Sequence, residues 1–129
     1  MNQVEDCYVE VTLNNEKVKT TERAISKSVL QTADVIRSNV VQSRVIPFDA
    51  GTLQNSTHIG QISDIEAYIE QSTPYARKMY YGDDYDFQTV NNENARSRWY
   101  SDFEDEKGLE NTTNILLQFI KRNSGGIVE

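Results

Sequence analysis

The side chains that could do chemistry are few, and the first candidate is His58, which is the only histidine in the chain. A catalytic histidine needs a nucleophile within hydrogen-bond reach. Ser56 and Ser72 are its neighbours only in sequence, and this establishes no such contact. We therefore predict that His58 lies on a strand and faces solvent. The sequence predicts no catalytic residue, and we do not expect an enzyme.

A second candidate is the acidic run from Asp83 to Asp86. It lacks the twelve-residue length and the terminal glutamate of a calcium-binding loop. Cys7 is the only cysteine, so neither an internal disulfide nor a thiolate metal cluster can form. We predict no metal site and no cofactor. A small hydrolase that uses the carboxylates of residues 83–86 is a minor alternative.

The most unusual composition lies in residues 75–103, where aromatic side chains are concentrated. Tyrosine, tryptophan and arginine provide large contact areas with a polar end, and they are enriched where proteins bind partners. The predicted partner-binding residues are Tyr75, Arg77, Tyr80, Tyr81, Phe87 and Trp99. The alternative is that the aromatic side chains form a second small core beneath a loop, and both interpretations can be true at once. On the first interpretation, alanine at Tyr80, Tyr81 and Trp99 stops partner binding and leaves the fold near intact.

The composition limits the class of protein. A chain of 129 residues predicts one domain. A net charge of −7 argues against sequence-specific nucleic-acid binding, which needs a basic face. No apolar run approaches the roughly 18 residues of a membrane span, and the acidic N-terminus does not resemble a signal peptide. We therefore expect a protein made in the cytoplasm, with no membrane partner.

These candidate residues must be positioned by an α+β fold. We predict a long N-terminal amphipathic helix packed on a small antiparallel β-sheet, with a long aromatic loop and a C-terminal helix. The predicted elements are a strand at 1–14, a helix at 16–44, a hairpin at 53–72, an aromatic loop at 73–100, a helix at 101–122 and a tail at 123–129.

These assignments are predicted from hydrophobic periodicity. Val9, Val11 and Leu13 alternate with polar residues, which is typical of a strand with one wet face. Between residues 16 and 44 apolar side chains recur every three or four positions, which predicts an amphipathic helix. Ile65, Ala67 and Ile69 alternate on a strand that pairs with residues 53–59 through a turn at 60–64.

Four residues predict turns: Pro47, Asp49, Gly51 and Pro74. Proline fixes its own φ and disfavours helix at the residue before it, while aspartate and glycine supply turn chemistry. Ser101 and Glu104 have the spacing of a capping box, which predicts a helix start there, although Gly108 favours a break.

Three motifs occur in order along residues 45–100. Residues 45–56, VIPFDAGTLQNS, resemble a VPxDTGxLxxS turn, with Ala50 in place of the more usual threonine. Residues 73–81, TPYARKMYY, resemble a TPYARxxYY stretch. Residues 85–100 resemble a YNFQ…NPNA…W(F/Y) segment, with Glu93 at the usual proline position. Together, the three motifs resemble the minor capsid and head–tail joining proteins of tailed phages.

The resemblance implies a structural role in the neck of a phage or prophage, between head and tail. It implies a small α+β subunit that self-associates into a ring and contacts other neck, portal-adaptor or tail proteins. The expected location is the virion neck, after synthesis in the bacterial host cytoplasm. The family supplies no catalytic residue. A non-viral protein-binding or regulatory module that uses the aromatic 75–100 surface is the alternative.

Overall fold

The structure is a computed structural model that describes residues 7–48, 51–87 and 89–129. Its architecture is α+β, as predicted. The helices are α1 (Asn15–Gln42), α2 (Thr52–Asn55), α3 (Ala76–Tyr80) and α4 (Glu106–Asn123), and the strands are β1 (Thr57–Ser63) and β2 (Glu66–Gln71). A 3-10 turn spans Ser101–Phe103. Helix α1 is the central element of the fold, since α4 and both strands pack on it.

Helix α1 confirms the amphipathic helix that the strongest periodic pattern in the sequence predicts. Its 28 residues span about 42 Å at the standard helical rise. The side chain of Asn14 caps its N-terminus by accepting a hydrogen bond from the Lys17 amide at 3.1 Å. The helix ends at Gln42, two residues before the predicted end, and Arg44 then adopts a positive φ of 56°. This turn directs Val45 and Ile46 into the core.

The buried residues of α1 are Ala24, Ser28, Thr32, Ala33 and Val40, and four of these five side chains are small or carry a hydroxyl. The hydroxyls of Ser28 and Thr32 donate to backbone carbonyls one turn earlier, so their burial leaves no polar group unpaired. Small side chains there allow α4 to approach closely, and Asn123 at the end of α4 donates to Ser28 Oγ at 2.9 Å.

The predicted strand at residues 1–14 is wrong over its described part. Residues 7–14 have no regular secondary structure and are exposed. Alternation of apolar and polar residues makes a strand only when another strand supplies the hydrogen bonds. No strand of the described ranges, 7–48, 51–87 and 89–129, pairs with this segment. Residues 1–6 lie outside the described part of the chain.

The predicted hairpin is present, but its bounds differ. Its first strand begins at Thr57, because Leu53 belongs to the short helix α2. Residues 60–63 extend β1 rather than forming the turn, which falls at residues 64–65. A register irregularity lies between Gln61 and Ser63. Ala67 and Ile69 face inward as predicted, whereas Ile65 sits in the turn and is 68% exposed.

In its described residues, the predicted aromatic loop at 73–100 contains one regular element, the short helix α3. Pro74 is followed by a turn in which the Ala76 amide donates to the Thr73 carbonyl at 3.3 Å, and the helix begins there. Ala76 is buried and holds α3 against the core. Hydrophobic periodicity does not predict α3, because five residues are too few to show a repeat.

The C-terminal helix was predicted to begin at Ser101, and this start is wrong. Ser101 opens the 3-10 turn, and Asp105 is the N-cap of α4, with its carboxylate accepting from the Gly108 amide at 2.6 Å. Gly108 does not break the helix. It lies inside α4 and is buried against the backbone of Phe103, so the absence of a side chain allows the close approach.

The hydrophobic core lies at the C-terminal end of α1. It consists of the buried side chains Val40, Val45, Ile46, Leu53, Ala76 and Trp99. Half-buried side chains that pack against it include Ile36, Met79, Tyr80 and Tyr100. These residues come from α1, the turn after it, α2, α3 and the segment before the 3-10 turn, so the core joins most of the chain into one unit.

Candidate partner-binding surface

Helix α3 and the residue on either side of it form the centre of the predicted partner-binding surface. Tyr75 precedes α3, Arg77 lies on its first turn and Tyr81 follows it. All three side chains are exposed, Tyr81 to 56%. Because α3 is held by buried Ala76 and by the half-buried Met79 and Tyr80, its outer side chains are presented on a fixed element. We name Tyr75, Arg77 and Tyr81 the aromatic surface.

A polar cluster borders the aromatic surface at Tyr81. The guanidinium of Arg98 lies over the Tyr81 ring at 5.2 Å from its centroid. Arg98 Nε donates to Asp83 Oδ1 at 3.1 Å, and Ser97 Oγ donates to the same oxygen at 2.7 Å. The hydrogen bonds from Ser97 and Arg98 hold the pKa of Asp83 below its ordinary value. The result is an ordered cation beside an exposed aromatic ring.

Sequence reasoning did not find the cluster of Asp83, Ser97 and Arg98 as one site. The arginine beside Trp99 was visible in the sequence, but its partner lies fifteen positions earlier. Arg98 has a positive φ of 47°, and its amide donates to the Tyr80 carbonyl at 2.8 Å. An aspartate and an arginine at this separation give no local pattern, so only the fold could reveal the pair.

Tyr80 connects the aromatic surface with the core. Its ring lies edge-on to Trp99 at 4.8 Å between centroids and edge-on to Tyr81 at 5.1 Å. Its hydroxyl donates to Glu104 Oε1 at 2.9 Å. Burial and the hydrogen bond to Glu104 raise the pKa of Tyr80 to about 12. Tyr80 is half-buried, so a partner would reach only part of it.

Trp99 belongs to the core and not to the exposed surface. Its side chain is 2% exposed and is the largest of the fully buried side chains. The prediction that Trp99 anchors a partner is therefore corrected for this conformation, because a buried indole offers no contact area. Of the two interpretations of the aromatic residues, the small core describes Trp99 and the contact surface describes Tyr75, Arg77 and Tyr81.

Phe87 lies apart from these residues. It is half-buried and edge-on to Tyr85, with 5.9 Å between ring centroids. The structure gives no ring contact between Phe87 and the aromatic surface within the described ranges. Phe87 and Tyr85 therefore form a separate aromatic pair in the loop after α3.

The predicted turn residues are positioned as follows. Pro47 is buried in the turn that follows α1, and Pro74 is exposed before α3. Gly51 caps α2 with a φ of 82°, and a Cβ at this position would lie 2.7 Å from Phe48 Cζ. Glycine is therefore required there by both conformation and space. Asp49 lies outside the described residues.

The residues considered for catalysis and metal binding are not brought together. His58 lies on β1 and is exposed, as predicted, with Nδ1 at 3.0 Å from the Ser56 carbonyl oxygen. Its Nε2 is 3.8 Å from a carboxylate oxygen of Glu70 on the paired strand. Among residues 7–48, 51–87 and 89–129, no three histidine, cysteine or acidic side chains are arranged to hold a metal ion.

The helices of the described part of the chain were also considered as membrane spans, and none combines the necessary length with the necessary apolar content. Comparisons of the whole chain with protein-family models, with curated proteins and with solved structures found no match.

Proposed function

We propose that this chain is a structural protein of a tailed phage or prophage, a minor capsid or neck component that joins head to tail as a subunit of a ring. The observation that carries the proposal is the spatial convergence of the three motifs that resemble head–tail joining proteins. If the motifs belong to one family fold, they are expected to pack against one another, and in this structure they do.

The convergence is visible in the core. The first motif contributes Val45, Ile46 and Leu53, the second contributes Ala76, and the third contributes Trp99. All five side chains belong to one buried cluster. Residues of all three motifs therefore contribute to one shared core.

Hydrogen bonds across the motifs support the same point. The Arg96 amide donates to the Val45 carbonyl at 2.9 Å, and the Asn92 side chain donates to the Ile46 carbonyl at 2.7 Å. The Arg98 amide donates to the Tyr80 carbonyl at 2.8 Å. The third motif is thus bonded to the first and to the second. These bonds connect residues that are distant in sequence, so they are specific to the fold.

The exposed side chains suit a structural role. Tyr81 and Arg77 are presented outward from a core-anchored helix, and Arg98 is held over Tyr81 by Asp83. Tyrosine and arginine are the residue types that most often dominate the energy of protein interfaces. A neighbouring neck or tail protein is the partner that the proposal assigns to this surface.

Electron microscopy of a lysate from producing cells, with a stop codon in this gene, tests the proposal. We expect filled or partly emptied heads that lie apart from free tails. Complementation with the wild-type gene should restore joined particles. Normal infectious particles from the stop-codon strain would contradict the proposal.

Variants of the aromatic surface refine the test. Tyr81→Ala and Arg77→Ala should fail to restore joined particles, because each removes an exposed contact side chain without opening the core. Lys121→Ala, which changes an exposed cation in the last turn of α4, should restore them. If Arg77→Ala and Lys121→Ala restore joined particles equally well, Arg77 is not part of the interface.

The alternative is a non-viral protein-binding or regulatory module that uses the same aromatic surface. It is favoured by the exposed Tyr81–Arg98 pair, which would suit any protein partner. The genes beside this one discriminate the two functions. Portal, major capsid and tail genes on either side favour the phage neck, and their absence favours the alternative.

A further inference from the structure

We propose that the N-terminal arm of one copy, residues 7–13, pairs with the free edge of β2 in a second copy and fills the apolar groove beside it. This inference describes how subunits of the proposed ring would join, and for that setting it rests on the proposed function. The self-association itself can be measured on the purified chain.

The arm has the sequence of a strand but lacks a strand's partner. Val9 is 89% exposed, Val11 is 84% exposed and Leu13 is 70% exposed. Exposure of three alternating apolar side chains on one short segment is costly in water. The backbone of the described arm residues also takes no part in the sheet, whose only members are β1 and β2 among the described residues. If the arm adds to another sheet, its apolar side chains become buried and its backbone gains hydrogen-bond partners.

The hairpin offers the complementary edge. Strand β2 pairs with β1 on one side and has no second neighbour in the part of the chain that the structure describes. A groove of about 660 Å³ runs beside β2, with Tyr100 and Glu104 on its wall as well. The apolar side chains of this groove include Val29, Ala33, Ile36, Ile62, Ile69 and Leu116. An unpaired edge beside an apolar groove is the arrangement to which an extended apolar segment binds.

The arm and β2 match in the alternation of their apolar and polar side chains. In an extended arm, one face carries Tyr8, Glu10 and Thr12, and the exposed face of β2 carries Glu66, Tyr68 and Glu70. With Glu10 opposite Tyr68, no two carboxylates are directly opposed, and Tyr8 and Thr12 lie opposite the two glutamates in either strand direction. The same register sets Val9 and Val11 opposite the half-buried Ala67 and Ile69. A shift by one residue would direct Glu10 into the apolar groove.

The arm is too short to reach this groove within its own chain. The residue of α1 nearest the arm that lines the groove is Val29, fourteen positions after Asn15, or about 21 Å along the helix. An arm that turned back at Asn14 would carry Val9 only about 17 Å and Val11 only about 10 Å, at about 3.3 Å per residue. Since neither valine reaches Val29, the arm cannot lie along β2 of its own chain in this register, and a second copy supplies the strand.

Sedimentation equilibrium of the purified full chain over a range of concentrations tests the pairing. We expect the wild-type chain to self-associate. Val11→Asn should weaken association by about tenfold or more, because it would bury an unpaired amide in the groove. Thr12→Asn is the matched control, since it places the same side chain on the outward face, and its association constant should stay within about threefold of wild type. Both positions are exposed in the single chain, so neither variant should change its folding.

A wild-type chain that stays monomeric at about 1 mM, where even weak specific complexes form, would overturn the inference. So would equal association of the Val11→Asn and Thr12→Asn variants. If the chain self-associates as expected but is absent from phage particles, the proposed function fails and the pairing stands. If it joins heads to tails with Val11→Asn in place, the pairing fails and the proposed function stands.

Disulfide trapping identifies the edge and the direction, because Cys7 is exposed and is the only native cysteine. In the register above, Cys7 lies opposite Gln71 if the strands are antiparallel and opposite Ile65 if they are parallel. Under oxidation, Gln71→Cys or Ile65→Cys should give a disulfide between copies that links Cys7 to the new cysteine, identified by peptide mass spectrometry. A bond within one chain, or Cys7–Cys7 dimers alone in both variants, would contradict pairing at β2.

Discussion

Replacing Trp99 by alanine removes the largest of the fully buried side chains. A Trp→Ala change in a core costs about 3–5 kcal/mol, through lost transfer free energy and the cavity that is left. The edge-on contact with Tyr80, at 4.8 Å between ring centroids, contributes to that loss, since such pairs are worth about 0.5–1.5 kcal/mol beyond their buried area. We expect the free energy of unfolding to fall by about 4 kcal/mol, a large part of the about 5–15 kcal/mol typical of a domain.

Urea unfolding followed by far-ultraviolet circular dichroism measures this loss, provided that the urea dependence of the free energy is unchanged. Tyr81→Ala is the control, because that ring is 56% exposed and its contacts lie at the surface. Its loss should be about 1 kcal/mol. A loss for Trp99→Ala no greater than that of Tyr81→Ala would refute the assignment of Trp99 to the core.

Two other perturbations test the packing around α4 and Tyr80. Gly108→Ala should lower the free energy of unfolding by about 1–3 kcal/mol although alanine is the better helix former, because a Cβ there would lie 2.7 Å from Phe103 Cα. Glu110→Ala, on the exposed face of α4, is the control and should change the free energy of unfolding little in the same urea assay. Tyr80, with its pKa raised to about 12, binds a proton more tightly when folded, so its contribution to stability is present below about pH 10 and is lost as the pH rises from about 10 to 12. Tyr80→Phe should flatten that loss in alkaline unfolding curves, and an unchanged slope would show that other groups cause it.

The helix α1 and the β-hairpin could be predicted because their signals are local. A stripe of apolar residues repeated over 28 residues leaves little choice of structure, and both observed ends fall within two positions of the predicted ones. The turn at Gly51 was likewise visible, since its positive φ is a property of one residue and its immediate neighbours. Signals of this kind need no knowledge of the tertiary fold.

The role of Trp99 and the start of α4 could not be predicted, because both depend on contacts between distant residues. Composition alone does not say whether an aromatic residue lies in the core or on the surface. The burial of Trp99 depends on a segment anchored by Asn92, whose side chain donates to the Ile46 carbonyl, 46 positions earlier. At the start of α4, two residues had capping chemistry. Asp105 caps the helix and not Ser101, because Gly108 must sit against the 3-10 turn.

The two ends of α1 have different amounts of support. Every buried member of the core cluster comes from Val40 or later in the chain, whereas residues 15–17 at the start of the helix are exposed. Helical segments without tertiary packing are marginally stable in water, and valine and threonine, which recur at positions 18, 20 and 21, are mediocre helix formers. A second copy that engages the arm would pack beside this end of the helix and stabilise it. Hydrogen exchange of the amides of residues 15–23 should therefore slow as self-association increases, and exchange that does not depend on concentration would argue against contact between copies at this end.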